Sequence, residues 1–152
     1  MRADRYNIEE RQKGEKMVKD NCIFCKIASG EIPSATIYED ERFRVILDLG
    51  PATRGHALIL PKEHADNLYT LEEETAGAAM KLARRMAIRM RERLGADGFN
   101  LVQNNGEEAG QTVMHFHLHL IPRYKDDGQH ILWEPGKASA EELEETRKQI
   151  AE

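Results

Sequence analysis

Three histidines alternate with bulky apolar residues in the stretch His115-Phe116-His117-Leu118-His119-Leu120-Ile121-Pro122. Side chains alternate between the two faces of a β-strand, so this period of two predicts a strand over residues 112–121. The three imidazoles are then expected on one face and the apolar side chains in a core on the other. The chain is therefore constrained to a sheet that presents a row of imidazoles to a single site.

A row of imidazoles offers more than one kind of chemistry. An unperturbed imidazole has a pKa of about 6.5 and is mostly neutral at pH 7, with one nitrogen lone pair and one N–H. Three of the six histidines of the chain fall within this one stretch, a concentration that a merely solvated strand face does not require. The pattern indicates a functional site, with nucleophile, proton donor and metal ligand as open roles.

Length and charge restrict the class of protein. The 152 residues, of which 40% are hydrophobic, fit one globular domain with its own core. The net charge of −5 argues against a nucleic-acid groove, which needs a basic surface. A polar N-terminus and the lack of a long apolar run predict neither a signal peptide nor a membrane span, and we expect a cytoplasmic protein.

Other patterns predict the remaining elements. We expect a hairpin from residues 35–38 and 42–48, and strands over 56–60 and 98–102. Ser139 and Glu142 form a capping box that predicts a short acidic C-terminal helix. Apolar residues at steps of three and four predict a long helix over 72–94 that ends at Gly95. The buried stripe of this helix is expected to be Ala76, Met80, Ala83, Ala87, Met90 and Leu94.

The only two cysteines, Cys22 and Cys25, are separated by two residues. They are too few for a disulfide framework, and in a reducing compartment their spacing indicates metal or redox chemistry. Together with two histidines they would make a closed, tetrahedral zinc site of the structural type. Two reduced core cysteines or a redox pair are the alternatives that the spacing leaves open.

The loop from Asn104 to Thr112 leads directly into the histidines and contains two glycines. Backbone N–H groups near glycine can hold phosphate oxygens. No Lys-Ser/Thr pair follows the glycines, which excludes a P-loop. By itself the loop could be an ordinary hairpin connection, and its position beside the histidines favours a role in binding.

Residues 110–120, Gly-Gln-Thr-Val-Met-His-Phe-His-Leu-His-Leu, resemble the signature of the histidine triad (HIT) family of nucleotide-binding hydrolases. Matches at residues 22–27, 31–35, 39–40, 48 and 55–64 extend the resemblance from Asn21 to Tyr124. It implies an α+β fold, a five-stranded antiparallel sheet with one long and one short helix, which pairs as a homodimer into a ten-stranded sheet. We expect a charged arm over 1–20, a HIT domain over 21–125 and a tail over 126–152.

The resemblance also implies a mechanism. The middle histidine, His117, attacks the α-phosphorus of a purine nucleotide derivative of the AMP type, and water then hydrolyses the nucleotidyl-histidine. His56 and His119 would orient the nucleophile and stabilise phosphoryl charge. Thr112, which stands where serine is usual, would bond the leaving group. A nucleoside phosphoramidate is the expected substrate, and no catalytic metal is required.

Binding residues are implied by the same resemblance. Asp48 would accept from the ribose hydroxyls. Phe24, Ile27 and Leu49 would surround the base, although core packing is an equally good reading for the first two. The phosphates would contact Asn104, Gly110 and Gln111. Some members of the family hold zinc with a cysteine pair and two histidines, and the corresponding residues are Cys22, Cys25, His64 and His115.

Three alternatives stay open. A catalytic zinc held by His56, His115, His117 and His119 would activate water instead of using an imidazole nucleophile. A dinucleoside polyphosphate hydrolase would use the same nucleophile on a different substrate. A nucleotide-binding regulatory module would hydrolyse its ligand only incidentally.

Overall fold

The computed structural model describes residues 19–151, so the predicted arm over 1–20 lies outside it except for its last two residues. All five strands form one antiparallel sheet in the order β1-β2-β3-β5-β4, which confirms the predicted α+β fold. The strands are β1 Thr36–Glu39, β2 Phe43–Leu47, β3 Ala57–Pro61, β4 Gly98–Val102 and β5 Leu118–Arg123. The helices are α1 Ile23–Ser29, α2 Glu73–Leu94 and α3 Ala140–Ile150, with a single 3-10 turn over Glu107–Ala109.

Successive residues of a strand point to opposite faces of the sheet. The central strands carry apolar residues at both sets of positions, so both faces of the sheet are covered. On one face Val45 and Ile59 pack in the main core with α2. On the other face Leu58 and Leu60 pack with Ala28 of α1. His119 is paired with Leu58 across β3 and β5, which places it on the face of α1. The histidines therefore lie on the side of the sheet that the short helix covers.

Cys22 caps the N-terminus of helix α1, where its sulfur accepts a hydrogen bond from the Cys25 N–H at 3.4 Å. It ends at Gly30, which has a φ of 87°, the left-handed conformation that glycine adopts without a steric penalty. This short turn of helix brings both cysteine sulfurs to its N-terminal end. Helix formation around the Cys-x-x-Cys spacing thus places the two thiols together.

Helix α2 ends at Gly95 as predicted, but its buried stripe differs from the predicted one. Ala79, Leu82, Ala83, Met86 and Met90 are the buried residues, whereas Met80 is 54% exposed. At 100° per residue the stripe is rotated by about 60° around the helix. Steps of three and four fit both stripes, and packing of Leu82 and Met86 against the sheet decides between them.

The histidine strand begins later than predicted. β5 starts at Leu118, so the strand prediction over 112–121 is wrong in its first half. The neighbouring β3 ends at Pro61, and beyond that point the Phe116 N–H donates to the carbonyl of Ala65 at 2.6 Å. Only His119 lies on the strand; His115 and His117 precede it.

The C-terminal helix α3 has the predicted capping box, with the Glu142 N–H donating to the Ser139 hydroxyl at 3.2 Å. Every side chain described on this helix is exposed. Within residues 19–151 there is no helix with both the length and the apolar character needed to cross a bilayer.

Candidate functional site

Five of the six histidines lie in two adjacent groups. The cysteine–histidine cluster consists of Cys22, Cys25, His64 and His115, and the histidine row consists of His56, His117 and His119. The sixth, His130, is exposed in the C-terminal tail. The tertiary structure therefore splits the three histidines of the motif: the first belongs to the cluster, and the second and third belong to the row.

The four ligand atoms of the cysteine–histidine cluster all lie within 4.8 Å of one another. The Cys25 sulfur is 3.3 Å from His64 Nδ1 and 3.5 Å from His115 Nδ1, and the two Nδ1 atoms are 3.2 Å apart. Metal–sulfur bonds of about 2.3 Å and metal–nitrogen bonds of about 2.0–2.1 Å in a tetrahedron separate sulfur from nitrogen by about 3.5 Å and nitrogen from nitrogen by about 3.3 Å. The observed edges match those of a tetrahedral zinc site.

In both imidazoles of the cluster, Nε2, the nitrogen that faces away from the cysteines, makes a hydrogen bond. His115 Nε2 donates to the Pro61 carbonyl at 2.9 Å, and His64 Nε2 donates to Asp66 at 2.8 Å. Burial lowers the pKa of His115 to about 4, so this ring is neutral at pH 7 and its Nδ1 carries a lone pair. The lone pairs of two imidazoles converge on the thiols, an arrangement that a cation completes.

Burial also raises the pKa of the Cys25 thiol above its ordinary value. A bound Zn²⁺ reverses this preference because it stabilises the thiolate directly. The cluster is buried, with Cys22 at 9%, Cys25 at 1% and His115 at 0% exposure, so an ion held there has no open coordination position toward solvent. These residues fit a closed, structural metal site.

His117 is anchored through its inner nitrogen. Its Nδ1 donates to the carbonyl of His115 at 2.7 Å, because a carbonyl can only accept. In the neutral ring the proton therefore lies on Nδ1, and Nε2 carries the lone pair. The edge-on contact with Phe24, at 5.1 Å between ring centroids, holds the ring plane. Nε2 of His117 is thus left with a lone pair that can form a new bond.

His56 and His119 form a relay with a defined direction. The Ala52 N–H donates to His56 Nδ1 at 3.0 Å, so the proton of the neutral His56 ring lies on Nε2 and is donated to His119 Nδ1 at 2.9 Å. The proton of a neutral His119 then lies on its Nε2. Burial lowers the pKa of His56 and lowers that of His119 to about 4, so both rings are neutral at pH 7. His119 thus has an N–H at Nε2, on a ring whose centroid lies 5.0 Å from that of His117.

Asp48 lies beside this relay, with one carboxylate oxygen 3.6 Å from His56 Nε2 and the other accepting from the Gly50 N–H at 2.8 Å. Phe24 and Ile27 are partly buried and pack against the core under α1. Leu49 is 99% exposed. Of the residues predicted to bind the base and the ribose, Asp48 and Phe24 therefore contact the histidine row.

The loop over 104–112 brings the other predicted contacts together. The Asn104 amide nitrogen is 4.0 Å from the position that a Cβ on Gly110 would occupy, and Gly110 has a φ of 83°. Thr112 is exposed, and neither its N–H nor its hydroxyl has a hydrogen-bond partner within residues 19–151. Both groups are therefore available to a ligand.

The side chain of Gln111 is bonded within the protein. Its side chain is 3% exposed, and both of its N–H groups donate to backbone carbonyls, to Asp66 at 2.6 Å and to Val113 at 2.9 Å. Its side-chain oxygen accepts from the Gly106 N–H at 2.8 Å. The side-chain amide of Gln111 therefore has no donor left for a phosphate in this arrangement.

Two residues important to the site were not predicted from the sequence. Asp66 accepts from His64, and Lys19 pairs with Asp66 at 2.7 Å, which lowers the pKa of that carboxyl. A carboxylate that holds the outer nitrogen of a metal-binding histidine is a recurring arrangement. The His64-x-Asp66 spacing was the signal that could have identified Asp66.

A surface cavity of about 410 Å³ lies where β2 begins, β3 ends at Pro61 and α2 starts. Its basic side chains are already paired, Arg42 with Glu74 and Lys62 with Glu39, both at 2.7 Å. The cavity contains no histidine or cysteine, and we assign the chemistry to the histidine row instead.

Comparison with known proteins adds to this geometry. The family model described as HIT domain matches residues 29–126. A protein of Bacillus subtilis named Protein hit is 45% identical over 115 residues, which cover 75% of this chain and 79% of that protein. The adenosine 5'-monophosphoramidase hnt1 of Schizosaccharomyces pombe is 34% identical over 132 residues, covering 86% of this chain and 96% of that protein.

Among solved structures, a Zn-bound histidine triad family protein of Mycobacterium smegmatis superposes with a TM-score of 0.70. It is 41% identical, and the match covers 86% of this chain and 96% of that one.

Proposed function

The chain belongs to the HIT domain family, and from that premise we propose that it hydrolyses purine nucleoside phosphoramidates, or related nucleotide derivatives, at the α-phosphate. The proposed nucleophile is His117. The named activity of the Schizosaccharomyces pombe relative, adenosine 5'-monophosphoramidase, supports this substrate class.

One observation carries the proposal: the backbone holds His117 in the tautomer that a nucleophile needs. The hydrogen bond from Nδ1 to the His115 carbonyl at 2.7 Å leaves the lone pair on Nε2. Without that bond, the neutral ring would populate both tautomers, and only one of them could attack with this nitrogen. His119, as the neighbouring N–H donor, supplies stabilisation for charge that develops on a phosphoryl oxygen.

The reaction proceeds in two steps. In the first, His117 Nε2 bonds to the α-phosphorus, the bond to the leaving nitrogen breaks, and that nitrogen keeps the electron pair and takes a proton from solvent through the Thr112 hydroxyl. In the second, water attacks the same phosphorus, the phosphorus–His117 bond breaks, and a proton is released. The products are the amine and the nucleoside monophosphate, and His117 regains its lone pair.

The remaining predicted residues bind the substrate in this proposal. Asp48 accepts from the ribose hydroxyls, and Phe24, Ile27 and Leu49 contact the base. Asn104, the Thr112 N–H and the backbone at Gly110 face the phosphates. The free groups on Thr112 and the closeness of Asn104 to Gly110 support this arrangement.

The test is His117→Asn with His130→Asn as its matched control, because His130 is an exposed histidine outside both groups. We expect the first variant to lose turnover of adenosine phosphoramidate and the second to keep it. Rapid quenching of the wild-type reaction followed by mass spectrometry should detect a nucleotidyl adduct on the peptide that contains His117. Full turnover by His117→Asn would overturn the proposal, and a wild type inactive on every adenylyl phosphoramidate would favour a binding module.

A second experiment determines which leaving group the protein prefers. Assays of adenosine phosphoramidate, lysyl-adenylate and diadenosine polyphosphates, run in parallel at one enzyme concentration, rank the candidates by kcat/KM. We expect the phosphoramidates to rank first. A higher kcat/KM for the dinucleotides would assign the chain to the dinucleoside polyphosphate hydrolases.

We propose that the cysteine–histidine cluster binds one structural zinc ion, through Cys22, Cys25, His64 and His115. The tetrahedral edges and the Zn-bound relative from Mycobacterium smegmatis support this assignment. Zinc there would supply only a fixed crosslink between α1, the segment after β3 and the chain before β5. Metal analysis of protein purified without added zinc should give about one equivalent per chain.

We also propose a homodimer with one continuous sheet. β4 is an edge strand in the sheet order, and Leu101 on it is 42% exposed, as is Ile88 on α2. An open edge with apolar neighbours is suited to pairing with a second copy. Light scattering coupled to gel filtration should give twice the chain mass, and Leu101→Lys should shift it toward the monomer.

The division into an arm over 1–20, a domain over 21–125 and a tail over 126–152 stays a prediction, as does the cytoplasmic location.

A further inference from the structure

We propose that Gln111 is a positioning residue: its buried amide ties the loop over 104–112 to the segment over 64–68 and so fixes the phosphate-facing groups of that loop beside His117. The inference rests on the proposed function for its catalytic meaning. The anchoring itself depends only on hydrogen bonds within this chain.

Gln111 links three points of the backbone. Its amide nitrogen donates to the carbonyls of Asp66 and Val113, and its oxygen accepts from the Gly106 N–H. Gly106 lies in the first half of the loop and Val113 just after its end, so one side chain closes the loop on itself and attaches it to Asp66. A buried amide with all these bonds made has a single favoured position.

A second bond reinforces the attachment. The Leu68 N–H donates to the Asn105 side-chain oxygen at 2.7 Å, so the segment over 64–68 holds the loop at two points. The same segment accepts from the Phe116 N–H through Ala65. Asp66 contributes twice, because its carboxylate accepts from His64 while its carbonyl accepts from Gln111. The loop and the cysteine–histidine cluster thus share one support.

The loop needs such a support. Gly106 and Gly110 have φ values of 84° and 83°, and the other backbone bonds of the loop are short-range, such as that from the Gly110 N–H to Glu107. A glycine-containing loop with only local bonds samples many conformations. Anchoring by Gln111 would hold Thr112 and Asn104 in one place, and a displacement of about 1 Å in such groups can reduce a rate about 100-fold.

The experiment uses the full-length protein and three variants. Gln111→Glu keeps the acceptor for Gly106 but replaces the donating nitrogen by an oxygen that faces the carbonyls of Asp66 and Val113. Gln111→Met removes every bond without adding charge. Gln149→Glu makes the same chemical change on an exposed residue of α3 and is the matched control. Each is measured for hydrogen exchange by mass spectrometry, zinc content, affinity for AMP, and kcat and KM on adenosine phosphoramidate.

We expect both Gln111 variants to lose exchange protection over 104–112 alone, to retain the zinc content of the wild type, and to lose about 100-fold in kcat with less than about a tenfold change in AMP affinity. Gln149→Glu should match the wild type throughout. Unchanged loop exchange, with or without weaker AMP binding, would overturn the proposal in favour of a direct ligand contact or no role. Protection lost across the whole chain would also overturn it, because Gln111 would then be a general core residue.

The proposed function can fail separately. If the wild type hydrolyses no phosphoramidate, that function is excluded, while exchange in the two Gln111 variants still decides whether this residue anchors the loop.

Discussion

His115 and His117 are two residues apart, and the backbone anchors opposite nitrogens of the two rings. His115 donates from Nε2 to the Pro61 carbonyl, which turns Nδ1 toward the cysteines. His117 donates from Nδ1 to the His115 carbonyl, which leaves Nε2 unanchored. The choice of anchored nitrogen directs one ring into a closed cluster and the other toward a ligand.

The cysteine–histidine cluster and the histidine row also differ in how many of their imidazole nitrogens have a partner. Both imidazoles of the cysteine–histidine cluster have partners on both nitrogens. Within residues 19–151 the histidine row ends in two nitrogens without a partner, Nε2 of His117 and Nε2 of His119. The cysteine–histidine cluster, whose imidazole nitrogens all have partners, is expected to contribute to stability. The histidine row, which has nitrogens without a partner, is expected to bind or react. The same substitution should therefore have different effects on His115 and His117.

The sharpest test substitutes the two neighbours in the same way. We expect His117→Asn to reduce kcat by about 10⁴-fold or more while it lowers the free energy of unfolding by less than about 2 kcal/mol. We expect His115→Asn to lose zinc and to lower the free energy of unfolding by about 4 kcal/mol, since a buried ligand is removed. Turnover, denaturant unfolding and metal content measure the three effects. Equal losses of stability and zinc in both variants would abolish the distinction between the groups.

Chelation separates the cluster from the row without a mutation. After zinc is removed under conditions where circular dichroism still reports a folded chain, the midpoint of thermal unfolding should fall by several degrees, because about 1 kcal/mol corresponds to about 2–8 °C in a domain of this size. The kcat for phosphoramidate should fall by less than about tenfold, because the nucleophile is an imidazole. Immediate and complete loss of turnover in the still-folded protein would instead support a catalytic zinc.

Protonation of the row should appear as a pH dependence of stability. Burial lowers the pKa of His119 to about 4 in the folded protein, against about 6.5 in the unfolded chain. Between these values the unfolded state binds more protons, so the contribution of His119 is complete above pH 6.5 and is lost as the pH falls through 4. Its slope is at most about 1.4 kcal/mol per pH unit.

We therefore expect the free energy of unfolding to fall more steeply with acidification in the wild type than in His119→Gln. Urea unfolding at pH 7.5, 6.0 and 5.0 measures both slopes, and their difference cancels the contribution of the cysteine–histidine cluster, which both proteins share. Parallel curves would mean that His119 is not buried in its neutral form.

The smallest expected effect is that of substitutions at Thr112. Thr112→Ser removes one methyl group from an exposed residue and keeps the hydroxyl. We expect kcat/KM for bulky leaving groups to rise by about tenfold at most, the lower end of the roughly 10–200-fold that one methylene in a binding pocket is worth, because Thr112 is exposed. Thr112→Val, which keeps the size and loses the hydroxyl, should instead lower kcat/KM for every substrate. The same kcat/KM in all three proteins would exclude a role for Thr112.

Much of the fold followed from local patterns. The ends of α2, the strand over Gly98–Val102 and the capping box at Ser139 depend on residues close in sequence, and all three are confirmed. The buried face of α2 did not follow, because two stripes have the same period and the sheet selects one. The start of β5 also depends on a distant event, the end of its partner strand β3 at Pro61.

The site divides in the same way. Local patterns identified the two cysteines and the three histidines of the motif, and the resemblance to the HIT family added His56 and His64. The role of Gln111 was not predictable, because its partners Asp66 and Gly106 are selected by the packing of two loops. A polar residue next to a glycine gives the same local signal whether it contacts a ligand or holds the backbone.

By itself, the sequence determined the sheet, the helix ends and the set of chemically active side chains, because periodicity, capping and residue type are local properties. Only the tertiary structure decided which nitrogen of each imidazole is anchored. That choice depends on carbonyls such as those of Pro61 and His115, whose directions are fixed when the strands and loops pack. The difference between a buried ligand and an available nucleophile is thus a property of the folded backbone and not of the histidine itself.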